Sequence, residues 1–412
     1  MNQQRTLPPK GDTRDYHVDN IKGVLIFLVV AGHFLSYLQD QNVTFAIGVR
    51  TFIYFFHMPG FIFMSGYLAK GFLKKQNKTE KLLSYGWLYL LFKNAIELVH
   101  FIFRRPYFAD GSHTGALIAI VLLFTAGVWL LAQLYDRFSL FRRGFILLVV
   151  GYSLLKTDML TIGSAPWYLL ALILWHIVLY LTKEKKAAYV LAAAVLVAAF
   201  ANYQESIGRF LTLSRAINFL PFFLLGFYMT PKRLQEALGG KGRRFVLSGI
   251  FLAAMVLIII HGRAVKKWIG VFFFGVSPYS KLLKLGEWYY YAAPLTCILW
   301  MAATVVLLFG LFALCPKGKT FLAKLGRNTI GIYILHRLYK DFLIYGGFYG
   351  LLCENPYLAT GAGLLVSLLV TVVFGTDFWA KALTKLSKVS MGERFYREKT
   401  GSGLMETEHR NG

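Results

Sequence analysis

The chain has 412 residues, 57% of them hydrophobic and 16% charged, with a mean hydropathy of +0.53, which excludes an ordinary water-soluble protein. Apolar runs of the ~20 residues needed to cross a bilayer recur along it, while the alternating strands of an outer-membrane barrel are missing. The net charge of +25 is accounted for by Lys and Arg in cytoplasmic loops, and no nucleic-acid-binding motif accompanies it.

The expected fold is therefore all-α, a polytopic transmembrane helical bundle of about 10–12 spans. Residues 1–20 form a polar, cytoplasmic N-terminal segment without the pattern of a cleavable signal peptide, so the first span is expected to direct insertion. Segments 21–39, 45–69, 86–103, 114–134, 144–160 and 166–182 are the first six candidate spans. Segments 187–203, 216–230, 245–261, 291–314, 325–345 and 357–376 are the rest. The transmembrane domain thus covers 21–376, and residues 377–412 are expected to be a basic, flexible cytoplasmic tail. Cytoplasmic termini place Lys70–Lys81, Arg137–Arg143, Lys183–Lys186 and Lys232–Arg244 inside. One stretch disagrees. Residues 262–290 fall outside yet carry Arg263, Lys266, Lys267, Lys281 and Lys284. Cys297, Cys315 and Cys353 lack metal-ligand spacing and form no disulfide framework.

Ionisable residues inside spans are costly there and point to function. The first span reads R-D-Y-H-V-D-N-I-K-G-V-L-I-F-L-V-V-A-G-H from Arg14 to His33. Lys22 and His33 are eleven residues apart, about 16 Å along a helix, and eleven steps of ~100° return to the same face. Asp15, Asp19, Ile26 and Val29 share that stripe. A neutral imidazole deep in an apolar run can take a proton from a hydroxyl or attack an acyl group; it can also serve as a structural helix-to-helix hydrogen-bonding group. The second span holds His57 two residues before Pro59, which removes a helical hydrogen bond and kinks the helix. In the third, Lys93, Glu97 and His100 lie on one face and read as a self-neutralising pair. Trp167 follows Pro166, where an aromatic belt and a sugar-stacking platform are both consistent with it. Arg215 stands at the outer mouth of its span, suited to a sugar hydroxyl, an anionic substrate or simple snorkelling. Tyr333 and His336, three apart, share a face of the eleventh span.

Four blocks in order, R-D-Y-H-V-D-N-I-K-G leading to V-V-A-G-H, F-F-H-M-P-G-F-I-F-M-S-G, R-A-I-N-F-L-P-F-F-L-L-G-F-Y and G-R-N-T-I-G-I-Y-I-L-H, resemble the acyltransferase-3 family of integral membrane O-acyltransferases. The similarity is greatest to its fucose O-acetylase-like branch. The resemblance implies a multi-pass protein of the cell membrane that moves an acyl group, usually acetyl, from cytoplasmic acetyl-CoA to a hydroxyl of a cell-surface glycan or its lipid-linked precursor. The family pattern of a basic residue, ten residues, then histidine falls on Lys22 and His33, with Lys where Arg is usual, a change that keeps charge but loses a bidentate fork. The R-x-x-R motif of some members is missing; Lys70, Lys74 and Lys75 occupy that region. On this basis His33, Asp19 and His57 are expected at the reaction centre, with Asp19 orienting Lys22. Arg14, Lys22, Lys70 and Lys74 are expected to meet the donor, and Arg215, Trp167, Tyr333 and His336 the acceptor. Acetyl-CoA is a co-substrate, with no bound cofactor or metal expected; membrane lipid surrounds the chain. A glycan-precursor transporter or flippase is the alternative, since intramembrane charge and a proline kink suit it too.

Overall fold

A computed structural model describes residues 14–73, 78–103, 114–155, 159–161, 166–345 and 355–389. Among these are seventeen α-helices and no β-strand, and each of the twelve segments expected to span contains a helix. In chain order they begin with α1 (Tyr16–Asp40), α2 (Thr44–Leu68), α3 (Lys78–Phe103), α4 (Thr114–Arg137), α5 (Ser139–Leu154) and α6 (Trp167–Thr182). There follow α7 (Ala187–Ala201), α8 (Leu213–Tyr228), α9 (Pro231–Leu238), α10 (Lys241–Ile260), α11 (Gly262–Phe273) and α12 (Glu287–Tyr291). The last are α13 (Ala293–Leu314), α14 (Phe321–Arg327), α15 (Thr329–Tyr345), α16 (Pro356–Phe374) and α17 (Asp377–Leu386). Six helices are long and apolar enough to cross a bilayer alone: α1, α2, α4, α10, α13 and α16. The pair α8 and α9 passes together but bends by 99°, and α6 and α7 are apolar but shorter. The chain is a polytopic helical bundle.

Helix α1 is its axis, packed against α14, α2, α16 and α15. The end at which α1 begins is termed basal and the other distal. At the basal end the polar side chains of α1 are matched by the segment after α13. The fully buried Asn20 donates to the carbonyls of Pro316 and Gly318, both at 2.8 Å, and accepts from the Thr320 hydroxyl at 2.5 Å. His17 Nε2 lies 2.9 Å from the Phe312 carbonyl. Such matching is required because hydrocarbon supplies no alternative partner.

Small residues set the closest approaches, as expected where backbones must meet without a solvent-driven force between helices. A Cβ on Gly326 of α14 would lie 1.8 Å from the Asp19 carbonyl oxygen of α1. Gly66 of α2 and Gly226 of α8 form a mutual crossing, each Cβ falling 1.9 Å from a carbonyl oxygen of the other helix. Pro59 lies within the continuous helix α2. The carbonyl it releases, that of Phe55, accepts from the buried Thr304 hydroxyl of α13 at 3.3 Å.

The basic stretch 262–290 folds into α11, a 3-10 turn over Tyr279–Leu285, and α12. Helix α11 packs on α2, and Arg263 donates to the Thr44 hydroxyl at 2.8 Å and to Asn42 at the α1–α2 turn, so this segment covers the distal end of the α1–α2 hairpin. Where a flexible tail was expected, the residues from 377 open with the amphipathic α17. It buries Trp379, Leu383 and Leu386, and Trp87 donates to the Leu386 carbonyl at 2.7 Å. The remainder of that tail, from 390, lies outside the described residues.

The Gly66–Gly226 crossing has a direct test. A Gly66→Leu variant should lose at least about 2 kcal/mol, the range of overpacking a tight site, read as a lowered melting temperature in detergent. Gly249→Ala on α10, where a Cβ meets only open space, should be neutral or up to ~1 kcal/mol stabilising through helix propensity.

Candidate active site

Helix α1 runs unbroken from Tyr16 to Asp40, so Lys22 and His33 do share a face about 16 Å apart. Around Lys22 the arrangement is ionic. Asp19, itself buried, accepts from Arg14 at 2.6 Å and from Lys22 at 3.3 Å. Fourteen residues separate Asp19 from His33, about 21 Å along the helix. Asp19 therefore touches Lys22 and not the histidine, which makes it a positioning residue for the lysine.

From Lys22 a cavity of about 180 Å³ leads inward between α1, α2, α6 and α15, lined by Ser65, Phe61, Tyr168, Thr329 and Tyr333. Its inner wall is aromatic: Tyr168 and Tyr333 meet edge to face at 5.4 Å, and the Tyr168 hydroxyl is bonded to Ser65. Tyr333 packs in turn on His336 at 6.2 Å, and His336 on His33 at 5.3 Å between ring centroids. The eleventh candidate span and the first thus deliver their histidines to one point. His336 Nδ1–H donates to the Ile332 carbonyl at 2.8 Å, which leaves Nε2 as the free lone pair. That Nε2 is buried and makes no hydrogen bond.

The second imidazole fixed in this way is His57, whose Nδ1–H donates to the Ile53 carbonyl at 2.7 Å. It packs edge to face on Tyr54 at 4.7 Å and lies within electrostatic range of His33. The ring of Tyr54 carries Arg50, whose guanidinium sits 4.1 Å above it. Arg50 donates to the Gly32 carbonyl at 3.0 Å and to Gln39 at 2.6 Å. Arg50 was not singled out in the sequence, yet the signal was present: a basic residue inside a span, seven residues from His57 and so on its face.

Arg215 is not an interfacial, snorkelling residue. It is 8% exposed, because α8 starts deep: Arg215 lies eleven residues, about 16 Å, from the Gly226 crossing, level with the middle of α2. Its guanidinium stacks over Trp167 at 5.1 Å, its Nε donates to the Phe274 carbonyl at 3.3 Å, and its Nη1 is buried without a hydrogen-bond partner. Tyr333 and Tyr54 are its electrostatic neighbours. Trp167 is likewise buried, so it is no belt residue at a membrane surface.

Two expected donor-binding lysines are placed differently. Lys70 is turned to the Met229 carbonyl and the Tyr67 ring and does not line the Lys22 cavity. Lys74 lies outside the described residues. On α3, His100 pairs with Asp341 of α15 at 3.0 Å, and Asp341 also holds Arg337. Asp341 is a second residue the sequence did not single out; its partner on α3 is 241 positions away.

Buried donors and acceptors without partners are rare because each costs ~1–3 kcal/mol. Two of the nine among the described residues, His336 Nε2 and Arg215 Nη1, occur in the same aromatic-walled region as His33, where a polar ligand could complete the bonding.

Comparison with known proteins identifies the family. The model of the acyltransferase domain family matches residues 15–376, the whole bundle from the cap of α1 to the end of α16. Among curated proteins, the nodulation protein NolL of Mesorhizobium japonicum is 40% identical over 78 residues, 18% of this chain and 21% of its own length. The nodulation protein NolL of Sinorhizobium fredii is 44% identical over 63 residues, 15% of this chain and 17% of its own. The chain therefore spans about a fifth of the length of these relatives. No solved structure matches. With the family model covering nearly all of a polytopic helical bundle, the chain belongs to the acyltransferase-3 family of membrane acyltransferases.

Proposed function

We propose that the protein is an O-acetyltransferase whose donor, acetyl-CoA, enters from the basal, cytoplasmic side and whose acceptor is a hydroxyl of a cell-surface glycan or its lipid-linked precursor. The observation that carries this reading is the Lys22 cavity. It starts at an ordered cation and is aromatic within, and its wall residue Tyr333 packs on His336, which packs on His33. A CoA thioester has the matching form, an anionic head on a long, thin arm. Charge-assisted contacts at Lys22 suit the phosphates, and Asp19 fixes the direction of that ammonium.

At the inner end, His33 takes the proton of the acceptor hydroxyl as its oxygen attacks the thioester carbonyl carbon. The carbon–sulfur bond breaks, the acetyl group stays on the oxygen, and the thiolate recovers the proton from the imidazolium. Arg215 Nη1 is available to the developing oxyanion, where a preorganised donor in a water-poor site is most effective. His57 and His336 present fixed Nε2 lone pairs around the same centre. In a two-step version His33 is acylated first and the acceptor attacks the acyl-imidazole. Rapid quenching without acceptor separates the routes, since only the second leaves a labelled protein.

The His33→Ala variant should retain CoA binding in detergent yet transfer acetyl at least about a hundredfold more slowly. Mass spectrometry of surface glycans from a deletion strain complemented with it should show no acetyl increment, and an unchanged acetylated fraction would refute the assignment. Lys22→Ala should raise the KM for acetyl-CoA about tenfold while leaving kcat nearly intact, the pattern of lost uniform binding. Arg215→Met is expected to stay folded with a melting temperature near that of the wild type, the loss of the Phe274 and Trp167 contacts being offset by removal of a buried donor with no partner. Its acetyl transfer should nonetheless fall at least about tenfold.

A further inference from the structure

A second polar cavity, of about 360 Å³, opens at the basal end on the other side of the α1–α2 pair. It is walled by Asp15 and His17 of α1, Tyr67 of α2, Gln235 of α9, Arg244 of α10 and Lys317 after α13. The Arg244 guanidinium is half used. Nη2 donates to the Ala313 carbonyl at 2.6 Å, while Nη1 is buried and has no hydrogen-bond partner. The first turn of α10 adds to this, since it starts at Gly240 without a side-chain cap, and the positive end of a helix dipole favours an anion. Gly239, with φ +61°, lines the cavity just before it. The carboxylate among these residues is already engaged, because Asp15 accepts from the Val18 amide at 3.2 Å as the cap of α1.

Resting on the reading of the donor as a CoA thioester, we propose that this cavity binds the 3′-phosphorylated nucleotide end of the donor, with Arg244 and Lys317 on its phosphate. Three features favour a nucleotide over a bare anion. The space is larger than one phosphate occupies. The Tyr67 hydroxyl and the Gln235 amide offer hydrogen-bonding groups for base and ribose. The cavity also adjoins the Lys22 cavity: Tyr67 lines one and Leu68 the other, and Arg14, next to Asp15, leads through Asp19 to Lys22. The nucleotide is thus held on one side of the α1–α2 pair while the thioester arm passes to the other.

The test is equilibrium binding to the purified full-length protein in detergent, using CoA, 3′-dephospho-CoA, inorganic phosphate and phosphatidylglycerol as separate probes. The wild type should bind CoA more tightly than 3′-dephospho-CoA. Arg244→Gln and Lys317→Gln should each weaken CoA about tenfold, the worth of one charge-assisted contact, and narrow the gap between the two nucleotides. Lys317 is exposed, so its variant reports on the site if Arg244→Gln fails to fold. Unchanged CoA affinity in Lys317→Gln together with an unchanged preference for the 3′-phosphate overturns the site while leaving the donor reading intact. Competition by inorganic phosphate or phosphatidylglycerol on a par with CoA overturns the nucleotide assignment. A wild-type protein that binds no CoA removes the donor reading itself, and this site with it.

Discussion

A polar helix can occupy the centre of a membrane bundle only if each of its polar groups meets a partner inside the protein. Helix α1 satisfies this along its basal turns: Asn20 is enclosed by two carbonyls and a hydroxyl, His17 reaches the Phe312 carbonyl, and Asp19 ties Arg14 to Lys22. The rest of the architecture follows from keeping those partners in reach. The glycine of α14 lets the two backbones nearly touch, and α15, which continues from α14, is thereby set alongside α1 with His336 opposite His33. One close crossing at the membrane edge determines the register of the histidine pair deep inside.

The same economy fails beside the histidine pair, and there the failure is informative. Where α2 loses a hydrogen bond at Pro59, Thr304 supplies the missing donor; where His100 enters the bundle, Asp341 meets it. Against that background the unmatched Nη1 of Arg215 and Nε2 of His336 stand out as sites where stability is traded for binding capacity. They are two of nine buried side-chain atoms without a partner among the described residues, and these two share one aromatic-walled region.

What could be read in the sequence was what depends on local periodicity. The helical segments and the shared face of Lys22 and His33 follow from spacing and span length. What could not be read is pairing across long separations. Arg215 was expected at a membrane surface because its position in a span was counted from flanking charges. Its depth is instead fixed by a glycine crossing eleven residues further on, which no local pattern announces. His100 was assigned to its own helix because i, i+4 neighbours are visible in sequence and Asp341 is not. The basic stretch 262–290 is not the free loop that the loop-charge rule counts: it folds into two helices and a 3-10 turn, of which α11 docks on α2.

The bonds of Asn20 also have a consequence in time. Its carbonyl partners lie 296 and 298 residues downstream, so they do not exist while most of the chain is being made. At the ~5–20 residues per second of synthesis, that interval is roughly 15–60 s. During it the first helix must wait in the translocation machinery or at the lipid boundary with an unpaired amide, an acid and a base exposed. Assembly is therefore ordered toward a late closure, in which the arrival of α14 and α15 supplies the partners of the first helix and completes the pair of histidines. A ribosome stalled before residue 316 would leave a bundle with most of its helices and no centre.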